Sequence, residues 1–213
     1  MRYTKVAADA FGELQLNAGL LLTAFTPATG TVNDSDIFAA TSGGTTFTSG
    51  PSYTDFGDGI DNIPANTKQL KRLDHYEARM KGTAKTVNTS TVEILLGASD
   101  SSTADGVTEI DPLADLSAED FNDIWWVGDY SDKNGASNGG FLAIRLIDAL
   151  NTGGFALKSN DKGKGDFDFD FLAHYDIDNL DKVPFEIYMR AGTAEPASNS
   201  STGGSTGGTT GGN

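Results

Sequence analysis

The stretch Asp166-Phe167-Asp168-Phe169-Asp170-Phe171 alternates strictly between a carboxylate and an aromatic ring. In an extended strand successive side chains leave on opposite faces, so the aspartates share one side and the phenylalanines the other. The alternation runs on through Ala173, Tyr175 and Ile177 on the apolar side, against Leu172, His174 and Asp176 on the polar side, and predicts a long strand. Three aligned carboxylates about 6 to 7 Å apart repel one another. Such a row is either cheaply solvated or has a purpose.

Working outward, further strands are predicted at residues 12–23, 73–87, 121–130, 140–147, 154–159 and 183–190. In the last of these Val183, Phe185, Ile187 and Met189 fall on one face, opposite Glu186, Tyr188 and Arg190. The run Asn160-Asp-Lys-Gly-Lys-Gly165 suits a hairpin loop, which makes the 154–159 and 166–177 strands antiparallel neighbours. One helix is predicted at about 89–97: Ser90-Thr-Val-Glu93 matches a capping box, Val92, Leu95 and Leu96 form a stripe, and Gly97 supplies the stop. Ser117-Ala-Glu-Asp120 is a second capping-box match and predicts a helical turn. Residues 26–66 are rich in Thr, Gly, Ser and Asp and read as one long loop, of a length that usually contacts something.

The expected fold is mainly β: an antiparallel β-sandwich or barrel spanning 1–192 with one short flanking helix. Residues 193–213 are Gly, Ser and Thr-rich, without apolar surface to offset ordering entropy, and read as a flexible tail. The net charge of −15 argues against tight nucleic-acid binding, which needs clustered Lys and Arg. It is compatible with a surface that must lie beside DNA without holding it. There is no cysteine, hence no disulfide framework and no thiolate chemistry. Neither a signal-peptide run nor a stretch of roughly 20 apolar residues occurs, so folding in a cytoplasm and no membrane span are expected.

Motifs for catalysis or metal binding are weak. His75 and His174 lie about a hundred residues apart on polar sides of predicted strands, and neither begins a triad. The match Gly203-Gly-Ser205-Thr-Gly207 to a nucleophile elbow falls in the low-complexity tail. Lys162-Gly-Lys164-Gly165 lacks the spacing of a phosphate loop. Asp166, Asp168 and Asp170 open like a calcium loop but lack its glycine and closing glutamate, and a strand splays them apart. Trp125 and Trp126 point to opposite faces, one toward a core and the other toward an interface. No enzyme, cofactor or metal is expected.

Several blocks, in order, resemble the major tail (tail tube) proteins of long-tailed bacteriophages, of the siphophage type infecting Gram-positive hosts. They are Gly12-Glu-Leu-Gln-Leu-Asn-Ala-Gly-Leu-Leu-Leu22, Tyr53-Thr-Asp-Phe-Gly-Asp-Gly-Ile-Asp-Asn62, Trp126-Val-Gly-Asp-Tyr-Ser131, Leu150-Asn-Thr-Gly-Gly-Phe-Ala-Leu-Lys158 with Asp161-Lys-Gly-Lys-Gly165, and Val183-Pro-Phe-Glu-Ile-Tyr-Met-Arg-Ala-Gly192. The resemblance implies a sandwich with a side helix, assembling as hexameric rings in which four strands per subunit line a lumen and long loops bridge rings. It implies a structural virion protein, assembled in the host cytoplasm, whose acidic lumen conducts DNA during ejection. Its partners would be further copies of itself, the tape measure protein, and tail terminator and baseplate proteins. On that basis Asp166, Asp168 and Asp170 are lumen-facing candidates. Tyr53, Asp55, Phe56, Asp58, Ile60, Asp61 and Ile63 are candidates for contacts between rings or subunits. The alternatives are the tube of a tailocin or gene-transfer particle and, in another class, a β-sandwich adhesin, carbohydrate-binding or decoration module.

Overall fold

In the computed structural model, which describes residues 6–7, 10–130, 139–159 and 161–192, eleven strands and one helix follow in sequence. They are β1 (Gln15–Leu22), β2 (Ile37–Ala39), β3 (Thr41–Asp55), β4 (Lys71–Ala84), α1 (Thr89–Leu96), β5 (Ser99–Ala104), β6 (Val107–Pro112), β7 (Asn122–Tyr130), β8 (Gly140–Asn151), β9 (Ala156–Lys158), β10 (Asp166–Leu172) and β11 (Phe185–Arg190). Nine of the strands form one antiparallel hydrogen-bonded network, in the order β2-β1-β7-β8-β10-β4-β3 with β11 beside β8 and β9 beside β10. Strands β5 and β6 form a separate two-stranded hairpin.

The network folds over on itself where Leu150 and Asn151 of β8 pair with Leu172 and Phe171 of β10. A first layer, β2-β1-β7-β8-β11, thereby faces a second, β9-β10-β4-β3, as a β-sandwich requires. Leu21, Ile124, Trp126, Ile144 and Leu146 from the first layer share one core with Ala78, Met80, Ala84, Phe169 and Phe171 from the second. The Asp-Phe alternation is what makes this possible, because the phenylalanine side of β10 is buried and the aspartate side is not. Phe171 is wholly buried and meets Phe38 edge-on at 5.6 Å between centroids.

Part of the outward face of the first layer is buried as well, because the segment after β1 folds back over it and packs Phe25 and Val32 against Trp125, Phe141 and Ala143. Trp125 and Trp126 do take opposite faces, but both are interior, at 5 % and 9 % exposure. The expectation of one interface tryptophan is corrected by this second core, for which the scattered Phe25 and Val32 gave no periodic signal.

Helix α1 plugs one open side of the sandwich. Leu95 is buried, the Thr91 hydroxyl donates to the Phe38 carbonyl at 2.9 Å, and Asn151 Nδ2 donates to the Leu95 carbonyl at 2.7 Å. Its N-cap is Asn88, whose side chain accepts from the Thr91 N–H at 2.8 Å, two residues before the cap expected at Ser90. Gly97 ends it at φ +86, a backbone geometry that side chains resist. The 117–120 match is a single tight turn, with the Ser117 N–H donating to Asp120 at 2.6 Å.

Three strand expectations are revised. The region 26–66 is no single loop: it holds β2 and the fifteen-residue β3, which hydrogen-bonds along almost all of β4. Its Thr, Ser and Gly residues alternate weakly because both faces of the far half are exposed, so periodicity had nothing to register. Strand β10 stops at Leu172, and Ile177 lies in a short turn at 83 % exposure. Ile187 and Met189 share the side of half-buried Phe185 yet are exposed, since they extend past the second layer's cover. The tail at 193–213, with its Ser205 match, lies outside the described residues.

Candidate functional site

The solvent side of the second layer concentrates the charged side chains singled out in the sequence. The β10–β4 register sets Asp168 opposite Thr83 and Asp170 opposite Lys81, with Asp166 one step further along. The Asp166 carboxylate pairs with the Lys85 ammonium. Asp168 accepts from the Thr83 hydroxyl at 2.7 Å. Asp170 is held by Arg79 and Lys81, each at 2.9 Å. Arg79 reaches back to Glu77 at 2.6 Å. The Glu77 hydrogen bond, against partial burial and with help from Asp170, raises the Arg79 pKa above its ordinary value. On the other flank of β10, Lys158 of β9 lies opposite Asp166.

The row is therefore a ladder of alternating charge. Four carboxylates (Asp166, Asp168, Asp170, Glu77) meet four cations (Arg79, Lys81, Lys85, Lys158) on one surface. The like-charge repulsion expected within β10 is offset across strands, each pair contributing about 0.2–1 kcal/mol at this degree of exposure. Strand β3 continues the surface with Thr46 and Thr48 beside Lys81 and Arg79. The basic half of the ladder was hidden in the sequence because Arg79, Lys81, Thr83 and Lys85 recur at period two, about ninety residues away from their partners. Read together, two strands of complementary pattern were the available signal.

The layer's edges are open. Strand β3 pairs with β4 on one side and with no strand of the described residues on the other, while β9 closes the opposite edge with three residues. Among the fifteen residues of β3 there is no Lys or Arg, the charges that ordinarily protect an edge.

Beyond the sheet, β3 and β4 continue as an arm whose tip carries the second group of candidates. Tyr53, Phe56 and Ile60 are exposed at 53 %, 56 % and 50 %, and Leu73, opposite Tyr53, is exposed too. The tip is built rather than loose. Asp55 accepts from the Asn66 N–H at 2.7 Å and the Gly57 N–H at 2.9 Å, two bonds that hold its carboxyl below the usual range. Ile63 and Leu70 close round Gly57, leaving Ile63 half-buried, whereas Asp58 and Asp61 face solvent. Along the arm Tyr53, Phe56 and Ile60 are exposed, while Asp55 and Ile63 also serve its own fold.

The outward side of the first layer carries a second ionic group. Arg145 pairs with Asp123 and with Glu186 at 3.1 Å, lies 5.4 Å from the Trp125 ring centroid, and Glu186 also accepts from the Tyr188 hydroxyl at 2.5 Å. The Tyr188 bond first, then Arg145, keeps Glu186 below its ordinary pKa, while the same bond raises Tyr188. Every member has a partner, so the group reads as a surface brace. The histidines stay apart: His75 is exposed, and His174 Nδ1 lies 3.0 Å from the Asp148 carbonyl with its ring edge-on to Phe121. Among the described residues no group of three or more His, Asp or Glu side chains converges as a metal site.

The largest charge imbalance was missed by reading motifs alone. Between Lys85 and Lys133 the sequence has eleven acidic residues and no basic one, so this segment holds eleven of the fifteen excess negative charges. Its centre is the β5–β6 hairpin, not the Asp-Phe strand. Compared with known proteins, the chain matches no family model, and no curated protein matches it.

Proposed function

We propose that this chain is a structural subunit that polymerises with copies of itself into stacked rings, forming the tail tube of a bacteriophage through which DNA passes. The observation that carries the reading is the second layer: one face in the core, one face a charge-compensated polar surface, and a long edge at β3 without Lys or Arg. Pairing β3 of one copy with the β9 edge of the next satisfies the exposed backbone groups and turns the layer into a segment of a closed barrel. The number six comes from the resemblance alone.

In a barrel so formed, the ladder faces the lumen. Three of its four cations, Arg79, Lys81 and Lys85, are already held by carboxylates, so a passing phosphate backbone meets no free row of Lys and Arg to release its counterions. The wall is slippery through compensation, and the excess of negative charge elsewhere adds long-range repulsion. The arm, with Tyr53, Phe56 and Ile60 unburied in the single chain, supplies the contact between rings.

Electron microscopy of the purified protein tests this. Rings or tubes with a central channel are expected; monodisperse single chains across concentration, salt and temperature would overturn the reading.

A further inference from the structure

Main-chain hydrogen bonds alternate in direction along a strand, so an edge strand offers its N–H and C=O groups to a newcomer only at every second residue. In β4 the Ala78 carbonyl accepts from the Ala173 N–H and the Tyr76 N–H donates to the Tyr175 hydroxyl, so Tyr76, Ala78, Met80 and Gly82 turn away from β3. Their opposites Pro51, Ser49, Phe47 and Thr45 therefore turn toward the open edge of β3. Pro51 suits such a position, because the ladder loses no donor there, yet it leaves the edge without one too. At the other end Gly43 and Gly44, at φ +78 and +82, bulge from the ladder between Ser42 and Thr45. Complete donor and acceptor pairs are thus offered at Thr45, Phe47 and Ser49. On the opposite edge, the Asp170 carbonyl accepts from the Thr152 N–H and its N–H donates to Asn151, so by alternation Asp166 and Asp168 turn toward their partners Lys158 and Ala156 in β9. Leu157 then turns outward, in phase with Phe155 and Ser159 on either side. The Phe155 ring lies 5.9 Å from Phe167, and Leu157 lies opposite Phe167, which puts both exposed side chains on the phenylalanine side of the layer. Phe47, opposite Met80 and packed against the core, is on that side as well.

We propose that β9 of a second copy joins β3 in a single register, with Leu157 opposite Phe47, Phe155 opposite Ser49 and Ser159 opposite Thr45, and that Pro51 and the Gly43-Gly44 bulge are the stops that select it. The inference rests on the self-assembly reading and fixes a contact within it. Strand directions alternate across β9, β10, β4 and β3, so a copy related by rotation brings its β9 to β3 antiparallel. The two edges also agree in phase. On both, the residues with outward main-chain groups carry their side chains on the phenylalanine side, so the aspartate ladder continues unbroken from copy to copy. A slip of two residues one way sets Ser159 against the bulged Gly43. The same slip the other way sets Phe155 against Pro51, which has no N–H to give. A slip of one residue sets outward groups against inward ones. Only the proposed register uses all three complete positions, and it brings Leu157 beside the Phe47 ring.

The test is disulfide trapping, for which a chain without cysteine gives no background. In the proposed register Thr46 and Lys158 of neighbouring copies form a non-hydrogen-bonded pair on the ladder side, about 4.5 Å apart at Cα and within reach of a disulfide. Within one chain they lie three strand spacings apart, about 14 Å, so any cross-link joins two copies. Oxidised T46C/K158C is expected to run as a series of covalent multimers on a non-reducing gel. T48C/K158C, about 8 Å apart, is expected to cross-link at least about tenfold less. Equal or stronger cross-linking of T48C/K158C overturns the register. A T46C/K158C protein that assembles without cross-linking overturns the contact. Wild-type protein supplies a readout free of substitutions: on assembly, amide exchange is expected to slow by about tenfold or more at Phe47, Ser49 and Leu157, but not at Thr46 and Thr48, already bonded to β4. Unchanged exchange at Phe47 and Leu157 in assembled rings refutes the proposal, whatever the variants do. Failure of wild type itself to assemble would instead remove the underlying reading.

Discussion

Phe169 of β10 lies directly across from Gly82 of β4, so closely that a Cβ at position 82 would sit 2.6 Å from the ring Cζ. The ring is buried and cannot swing outward. Gly82→Ala is therefore expected to overpack the sandwich and cost about 1–3 kcal/mol. For a domain of this size that lowers the midpoint by about 2–4 °C per kcal/mol, read by thermal or guanidinium melts. Combining it with Phe169→Leu should recover part of the loss. An unchanged midpoint for the single variant would show that the core relaxes there.

Asn151 is a buried amide with each function used: Nδ2 donates to the Leu95 and Gly154 carbonyls at 2.7 and 2.9 Å, and Oδ1 accepts from the Asp170 N–H at 2.8 Å. It fastens α1 and the approach to β9 onto β10. Asn151→Ala strands those three backbone groups and should cost about 2–4 kcal/mol. Hydrogen exchange is expected to quicken first at α1 and the start of β9.

Replacing Asp166, Asp168 and Asp170 by Asn leaves Arg79, Lys81, Lys85 and Lys158 opposed by Glu77 alone. The fold should survive, with a loss of about 1–2 kcal/mol. The variant should acquire DNA affinity at low salt, with a log–log salt slope steeper by about 2–3, measured by anisotropy on a labelled duplex. DNA affinity equal to wild type would mean that the ladder's cations are not on an accessible face.

Acid should loosen the brace around Arg145. Tyr188 and Arg145 hold the Glu186 carboxyl below its ordinary value of 4.5, so the folded state binds that proton less readily than the unfolded chain. Its stabilisation is complete above that value and fades as pH falls through the depressed one. Since the group is partly exposed, the contribution is under about 1 kcal/mol. Glu186→Gln should flatten the stability-versus-pH curve below about pH 4.5 in urea melts, leaving neutral-pH stability nearly unchanged. Asp55 shifts in the same direction, so the difference between variant and wild type is the quantity to read.

At the arm, Tyr53→Ser with Phe56→Ser removes exposed apolar surface without touching the bonds of Asp55. The melting midpoint is expected to stay within about 1–2 °C of wild type. Stacking into tubes should be lost while single rings persist in micrographs. Tubes of normal length would remove the arm from the assembly contact.

The fold was legible wherever one face of a strand is wet and the other dry. Strand β10 alternates because its phenylalanines reach the core and its aspartates do not, and β4, β7 and β8 were found by similar apolar content. Strand β3 was illegible because its side chains are mostly exposed on both faces, which leaves only its bond pattern to define it. The hairpin β5–β6 was hidden for the same reason, with nearly every residue exposed. At the site, the carboxylates were visible as a motif, but their partners belong to a distant strand whose register only the folded chain reveals. Likewise sequence cannot show that the oxygens of Asp55 are taken by the backbone of its own turn.

The chain's two tryptophans, Trp125 and Trp126, sit back to back in β7, Trp126 in the core shared by the two layers and Trp125 in the core on the outer side of the first. Both indoles are thus optical probes of a layer that carries neither the ladder nor the β3 edge. Their emission should report unfolding of the sandwich faithfully and from two independent environments. Polymerisation through the second layer should leave that signal almost dark, so fluorescence silence during assembly is the expected sign of a subunit that joins its neighbours without rearranging its interior.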